Sequence, residues 1–279
     1  MKAFFYTVLY QPFLNIMVAL LAVLPGHNLG VAIIVLTVLV RLVLNKPAVT
    51  ALKTQLKMQQ LQPVLNKVRK EYKGDVTRQN QEMMKVYAAE KVSPYGGCLP
   101  LLIQLPILIV LYSVFRTDFT NIPAGSLYSF TPAVPHVNNV FLGLDLTHFE
   151  RIHFPLTPHL WAMVALGVIS AVLQYIQMKM LQPKVRPEGD ATADMTRQMS
   201  ITMPALSFII ALTLPPALPL YWAVTTAYSI AQQWWFLNRG KLGPVQTVVL
   251  DAPSAAVDLV PEEKLEKKGD VTIKIRKKS

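Results

Sequence analysis

Five stretches of this chain are long and apolar, and together they carry a single charge. They centre on Leu29–Leu44, Cys98–Phe115, Leu160–Ile176, Ile201–Leu214 and Ala217–Leu237, and the charge is Arg41. A helix needs about 20 mostly apolar residues to cross roughly 30 Å of hydrocarbon, and fewer where the bilayer thins. Inside lipid, backbone groups must be paired within their own segment, so such stretches predict an all-α membrane protein with five transmembrane helices. Pro215-Pro216 ends the fourth stretch early, which predicts a tight helical hairpin with the fifth. Charged residues make up 15% of the chain, too few to cover a water-facing surface of this size when soluble domains carry about 25%. A single cysteine, Cys98, excludes an internal disulfide or a cysteine-based metal cluster. His27, His136, His148, His153 and His159 show no ligand spacing, so no cofactor is expected.

The basic residues set an orientation. Ten lie between the first two stretches, from Lys46 to Lys91, whereas Arg116 and Arg151 alone separate the second from the third. The third connection has Lys179, Lys184, Arg186 and Arg197, the fourth has none, and the tail beyond Leu237 has nine. This places the first and third connections and the C-terminus in the cytoplasm. Trp161 at an outer end and Trp234-Trp235 at an inner end suit interfacial aromatic belts. Residues 3–24 are also apolar and uncharged, and three readings fit them. Thr7, Gln11 and Asn15 share one face while Phe5, Leu9, Phe13, Met17 and Leu21 recur every four residues, as in an amphipathic helix lying in the interface. A sixth span is the second reading. A cleaved signal segment is the third, although Leu20-Leu21 sets its small residues, Ala19 and Ala22, one residue too far apart.

Polar residues inside the stretches fall in rows. Thr37, Arg41 and Asn45 share one helix face, as do Ser170, Gln174 and Gln177, and as do Trp222, Thr225 or Thr226, Ser229, and Gln232 or Gln233. Gln104 is the contribution of the second stretch. Each row runs toward the cytoplasmic end, so the faces are expected to converge on a wet cavity open to the cytoplasm. For a single Thr, Ser or Gln, bridging between helices is the competing explanation. Arg41 is different, because an arginine at a span centre costs about 2.5–3.5 kcal/mol on insertion scales. No Asp or Glu in any stretch can pair with it. A functional role is expected.

Between Pro47 and Pro94 the chain is polar but helical in pattern. Met58, Leu61, Leu65, Val68 and Tyr72 form a coiled-coil-like stripe, Lys73-Gly74-Asp75 a turn, and Val76–Val92 a second helix carrying Met83 and Tyr87. The division expected is an N-terminal interfacial helix at 1–28, a first transmembrane helix at 29–50, a cytoplasmic hairpin at 51–95, transmembrane helices two to five at 96–238, and a basic tail at 239–279. Lys274, Arg276, Lys277 and Lys278 in the tail suit ribosomal RNA or anionic lipid, with Glu262, Glu263 and Glu266 opposing.

Several strings resemble the YidC/Oxa-type membrane insertases. They are LTVLVRLVL around Arg41, KMQQLQPVLNKV at 57–68, QEMMKVY at 81–87 and, most specific, VSPYGGCLPLLIQLPILIVLY at 92–112, with LYW at 220–222 and QQ at 232–233. The resemblance covers about residues 4 to 238. It implies a five-transmembrane-helix insertase core with a cytosol-facing hydrophilic groove, a cytoplasmic helical hairpin and an interfacial N-terminal helix. By matching position Arg41 is similar to the groove arginine, and Thr37, Gln104, Tyr221 and Trp222 to groove-lining or substrate-contacting residues. Asn45 and Gln174 join the expected groove through their rows. Members take nascent membrane proteins into the bacterial inner membrane, alone or beside the Sec translocon, often during translation by the ribosome. The chain departs from the pattern at Pro216-Ala217-Leu218-Pro219 and at Lys46-Pro47. It has no lipobox cysteine near its start, and a large external domain is not expected. A small-solute transporter or channel is the alternative, weakened by the lack of membrane acids and of paired halves. An assembly chaperone would need the same groove, and no nucleophile–base set argues for an enzyme.

Overall fold

The computed structural model describes residues 5–93, 99–119, 121–123, 125–134, 136–150, 157–182, 191–238, 250–251 and 275–276. Eight α-helices stand among them. A π-helical turn at Tyr6–Tyr10 runs directly into α1 (Gln11–Val23). The others are α2 (Leu29–Val43), α3 (Asn45–Glu71), α4 (Val76–Ala89), α5 (Leu99–Phe115), α6 (Pro158–Met180), α7 (Ala191–Ala211) and α8 (Ala217–Asn238). Four two-residue strands complete the list: β1 (Val140–Phe141), β2 (Leu144–Asp145), β3 (Leu250–Asp251) and β4 (Ile275–Arg276). Apart from β3 and β4, the expected tail lies outside the described residues, as does Cys98.

Every one of the five apolar stretches is helical. Taken alone, Tyr6–Val23 and Pro158–Met180 are long and apolar enough to cross a membrane. Helices α2 and α3 pass the same test only as a pair, bent by 67° at Leu44. The bend has a local cause: Pro47 lacks an N–H, and its ring would strike the carbonyl of Val43 in a straight helix. Gln104–Phe115 and Gln198–Ala211 are shorter apolar helices. Leu39, Leu42, Ile109, Val168, Ile169, Val172, Leu206 and Ile209 all stand exposed, an apolar exterior suited to lipid.

The bundle has two unlike ends. One carries the α3–α4 hairpin and is called the hairpin end; the other carries the 116–157 connection and is called the loop end. The main apolar core lies toward the loop end, where Leu14, Met17 and Leu21 of α1 meet Leu29, Ile33 and Leu36 of α2, Val110 and Val114 of α5, Leu160 of α6 and Leu218 of α8. Loop-end caps are side chains: Asn28 accepts from Gly30 and Val31 at the start of α2, and Thr157 accepts from Leu160 at the start of α6. The hairpin has its own core of Leu61, Val64, Leu65, Val68, Tyr72, Val86 and Val92, with Met58, Met83 and Tyr87 against it. The predicted stripe and turn are thus present. Gly74 takes φ +104 in that turn, and Asp75 caps α4 by accepting from Arg78. A third cluster of Leu52, Leu56 and Phe236, flanked by Val49 and Leu181, seats the hairpin base on α8.

Candidate functional site

Arg41 lies in the last turn of α2, beside the bend. Its Nη2 donates to Oε1 of Gln104 on α5 at 3.4 Å. The Gln104 amide nitrogen in turn donates to the Tyr221 hydroxyl oxygen on α8. Tyr221 is 2% exposed and belongs to the main apolar core, so one hydrogen-bonded chain spans three helices at the lower edge of that core. Among the described residues no carboxylate pairs with Arg41. Nearer the hairpin end, Asn45 is exposed and accepts from the Gln232 side chain of α8.

The other candidates are placed differently. Thr37 is 1% exposed, and its hydroxyl donates to Ile33 O one turn back at 2.6 Å. Trp222 is half-buried against the main core. Gln174 sits on α6, which packs on α7 and α8, and its half-buried side chain leaves Oε1 without a hydrogen-bond partner. Ser170 on the same row lies 2.9 Å from Leu166 O and 3.0 Å from Pro219 O, so its single proton bridges α6 and α8. That is the helix-bridging role open to a membrane serine. Arg41, Gln104 and Tyr221 are joined directly; Thr37, Asn45 and Trp222 flank them; Gln174 stands on α6, outside this hydrogen-bonded chain.

Sequence reasoning missed the polar structure at the loop end. Asn15 is 4% exposed and uses its full amide capacity. Its Nδ2 donates to Gln11 O and Ser126 O, and its Oδ1 accepts from Tyr128 N and the Thr131 hydroxyl. Tyr6 meets Ser126 at 2.6 Å, Tyr10 meets Thr117 at 2.8 Å, and Gln11 donates to Gly125 O. Gln11 and Asn15, from the polar row of this helix, face a protein loop. The only sequence signal was an asparagine in an apolar helix. A hairpin of β1 and β2 closes through Leu142 and Gly143, both at positive φ, and its Phe141 packs against Gly30. His159 sits between Glu150 Oε2 at 3.0 Å and Asp145 O at 3.2 Å. Partial burial pushes the Asp145 carboxyl up, but hydrogen bonds from Thr147 and His148 outweigh it and hold the group below the usual carboxylate range. In the α3–α4 hairpin, burial first and then the neighbouring Glu71 and Glu82 push the Tyr72 hydroxyl up.

A family model described as 60Kd inner membrane protein matches residues 20–242, which include every helix from α2 to α8. The chain belongs to this family, that of the YidC membrane insertases. A relative named membrane protein insertase YidC from Syntrophobacter fumaroxidans is 32% identical over 214 residues, covering 76% of this chain and 35% of the relative. One of the same name from Ralstonia nicotianae is 34% identical over 212 residues, with 76% and 32% covered. A shorter one from Fusobacterium nucleatum is 28% identical over 213 residues and is covered over 88% of its length. The chain thus spans about a third of the length of the first curated relatives it matches.

Proposed function

We propose that this chain is a membrane protein insertase of a bacterial inner membrane, with its five apolar stretches as spans. Nascent membrane proteins enter a hydrophilic groove bounded by α2, α5 and α8, open toward the cytoplasm, and leave it sideways into lipid. The observation that carries this reading is Arg41, a cation in an apolar helix held by one neutral amide at 3.4 Å. A charge so placed attracts an acidic residue in the client tail that must cross. At ~4 Å the attraction is about 1 kcal/mol in water and about 4 kcal/mol at an effective dielectric of 20, before desolvation is subtracted. Burial of the client's own helix in lipid supplies the net drive.

The test is protease protection of a client tail in vesicles containing each variant. Arg41→Ala is expected to stop insertion of an acidic-tailed client, and Arg41→Lys to retain part of it. Equal insertion by wild type and Arg41→Ala, at equal protein levels, would show the charge to be structural.

Orientation rests on the basic loops, which place the α3–α4 hairpin and the C-terminus in the cytoplasm. Lys73→Cys and Val260→Cys, each in a Cys98→Ser background, should resist an impermeant thiol reagent in intact cells. The N-terminal helix lies in the outer interface. Its bonds to the 117–131 loop run from Tyr6 to Asn15, about 14 Å of helix at 1.5 Å per residue, where a crossing helix would meet that loop at one end only. The tail docks ribosomes, and the groove serves alone or beside the Sec translocon. Deleting 262–279 should weaken salt-sensitive ribosome binding and spare insertion of short clients.

A further inference from the structure

We infer that Gln104 sets the charge preference of the groove, by orienting the Arg41 guanidinium without neutralising it; this rests on the insertase reading above. The direction of the amide follows from what its neighbours can offer. A guanidinium only donates, so the amide oxygen must face Arg41 and the amide NH₂ must point away. It points to Tyr221, whose hydroxyl oxygen accepts. Turning the amide over would set two donors against each other at Arg41. The Tyr221 hydroxyl can donate or accept, so it is the donor-only guanidinium that fixes the sense of the amide. Tyr221, 2% exposed within the core, anchors the other end of the amide and so holds its oxygen against Arg41.

The contact is also weak by design of its chemistry. It is long at 3.4 Å and engages one of the five guanidinium N–H groups. A carboxylate at this point would form a short, bidentate, charge-assisted pair and cancel the positive charge. An amide supplies only a dipole. Arg41 is the single charge of the five apolar stretches, so the residue at 104 decides whether the groove presents a net cation. Gln104 is in this sense a positioning residue that keeps Arg41 available to an acidic client.

Gln104→Glu separates this role from simple bracing. The substitution keeps length, shape and acceptor, and adds one negative charge. A residue that merely braces Arg41 would be improved by it. A residue that sets the charge would be ruined for acidic clients above all. The experiment compares two clients in vesicles, identical except that one tail carries aspartates and the other asparagines at the same positions. In Gln104→Glu the ratio of acidic-tail to amide-tail insertion rates should fall roughly tenfold or more, the scale of a lost charge-assisted contact. Gln104→Met removes the acceptor but leaves the cation, and should slow the acidic client severalfold less. A wild-type ratio in Gln104→Glu, or an equal fall for both clients, overturns the inference. Should Gln104→Glu fail to fold, Tyr221→Phe decides: it frees the amide and should lower the same ratio, and an unchanged ratio overturns the inference. Arg41→Ala, run alongside, tells the two readings apart. If it leaves the acidic client at full rate, the groove reading itself fails; if it abolishes that client while Gln104→Glu keeps the wild-type ratio, only the role of Gln104 fails.

Discussion

The loop end and the hairpin end of this bundle treat polar groups in opposite ways. At the loop end Asn15 makes four hydrogen bonds, Asn28 caps α2 while its amide holds Val140 O, and the 117–131 loop is tied to the N-terminal helix at four positions. Leu146 O reaches across to the N–H of Ala217 and ties the same connection to α8. Among the described residues, eight buried side-chain oxygens lack a hydrogen-bond partner. Seven of these lie on the α3–α4 hairpin or on the middle and hairpin-end parts of α6 and α8; Asn139 alone is at the loop end. Saturated polar groups make a rigid seal, because each bond broken exposes a donor or acceptor with no substitute. Unsaturated ones stabilise little and remain free for water or a visiting chain. On the insertase reading proposed above, the difference suits a bundle closed at one end and receptive toward the other.

Asn15→Leu is expected to have the largest effect on stability. It strands Ser126 O, Tyr128 N and Thr131 together, and roughly 2–4 kcal/mol should be lost in thermal unfolding in detergent. A change within ~0.5 kcal/mol would mean that the loop end is not sealed by this residue.

Gly30→Ala comes next. A Cβ there would stand 2.3 Å from the Phe141 ring and 2.5 Å from its Cβ, atoms too near the backbone to swing aside. Overpacking of this kind costs about 1–3 kcal/mol and should detach the β1–β2 hairpin first, which local hydrogen exchange at residues 140–146 would read. Unaltered protection of those amides would remove the hairpin from the seal.

Thr225→Val probes the other side of the comparison. Thr225 is buried on α8 and its hydroxyl has no partner, so an isosteric apolar side chain should be neutral or stabilise by up to about 1 kcal/mol. A clear loss of stability would show that the hydroxyl is satisfied by ordered water and that the two ends are more alike than they look.

The smallest effect is one of pH. Asp145 has a depressed pKa in the folded protein, so its contribution is complete above the unfolded carboxylate value and is lost as pH falls through the folded one. Acid below about pH 4 should therefore loosen the loop end, and Asp145→Asn should flatten that dependence. An unchanged acid profile would assign the effect elsewhere.

Much of the architecture was legible because it is written in periodicity. The stripe from Met58 to Tyr72 and the Lys73-Gly74-Asp75 turn specify the α3–α4 hairpin from local spacing alone, and its core is built from those residues. The Pro215-Pro216 stop is equally local, and α7 ends just before it. The site was legible only in part. The four-residue row of Thr37, Arg41 and Asn45 shares one helix face by spacing, yet the three residues meet different fates: a back-bond to Ile33, a contact with Gln104, and an exposed bond to Gln232. Gln174 stands on a comparable row, and its helix α6 packs on α7 as well as on α8, contacts that no spacing along α6 reveals.

By itself the sequence determined the membrane class, the helices, the helical hairpin and the family, since each depends on composition, period or a contiguous string. It also singled out Arg41, because a lone charge in an apolar stretch needs no structure to be conspicuous. Only the tertiary structure decided which polar residues would be satisfied. Asn15 and Gln104 are similar amides in similarly apolar helices, and nothing within several residues of either tells them apart. Asn15 meets a loop 111 to 116 residues away that supplies three of its four partners, while Gln104 meets a cation and a tyrosine 63 and 117 residues distant. Hydrogen bonding between side chains is set by distances of a few ångströms across helices, and those distances follow from how the whole bundle packs rather than from any local pattern.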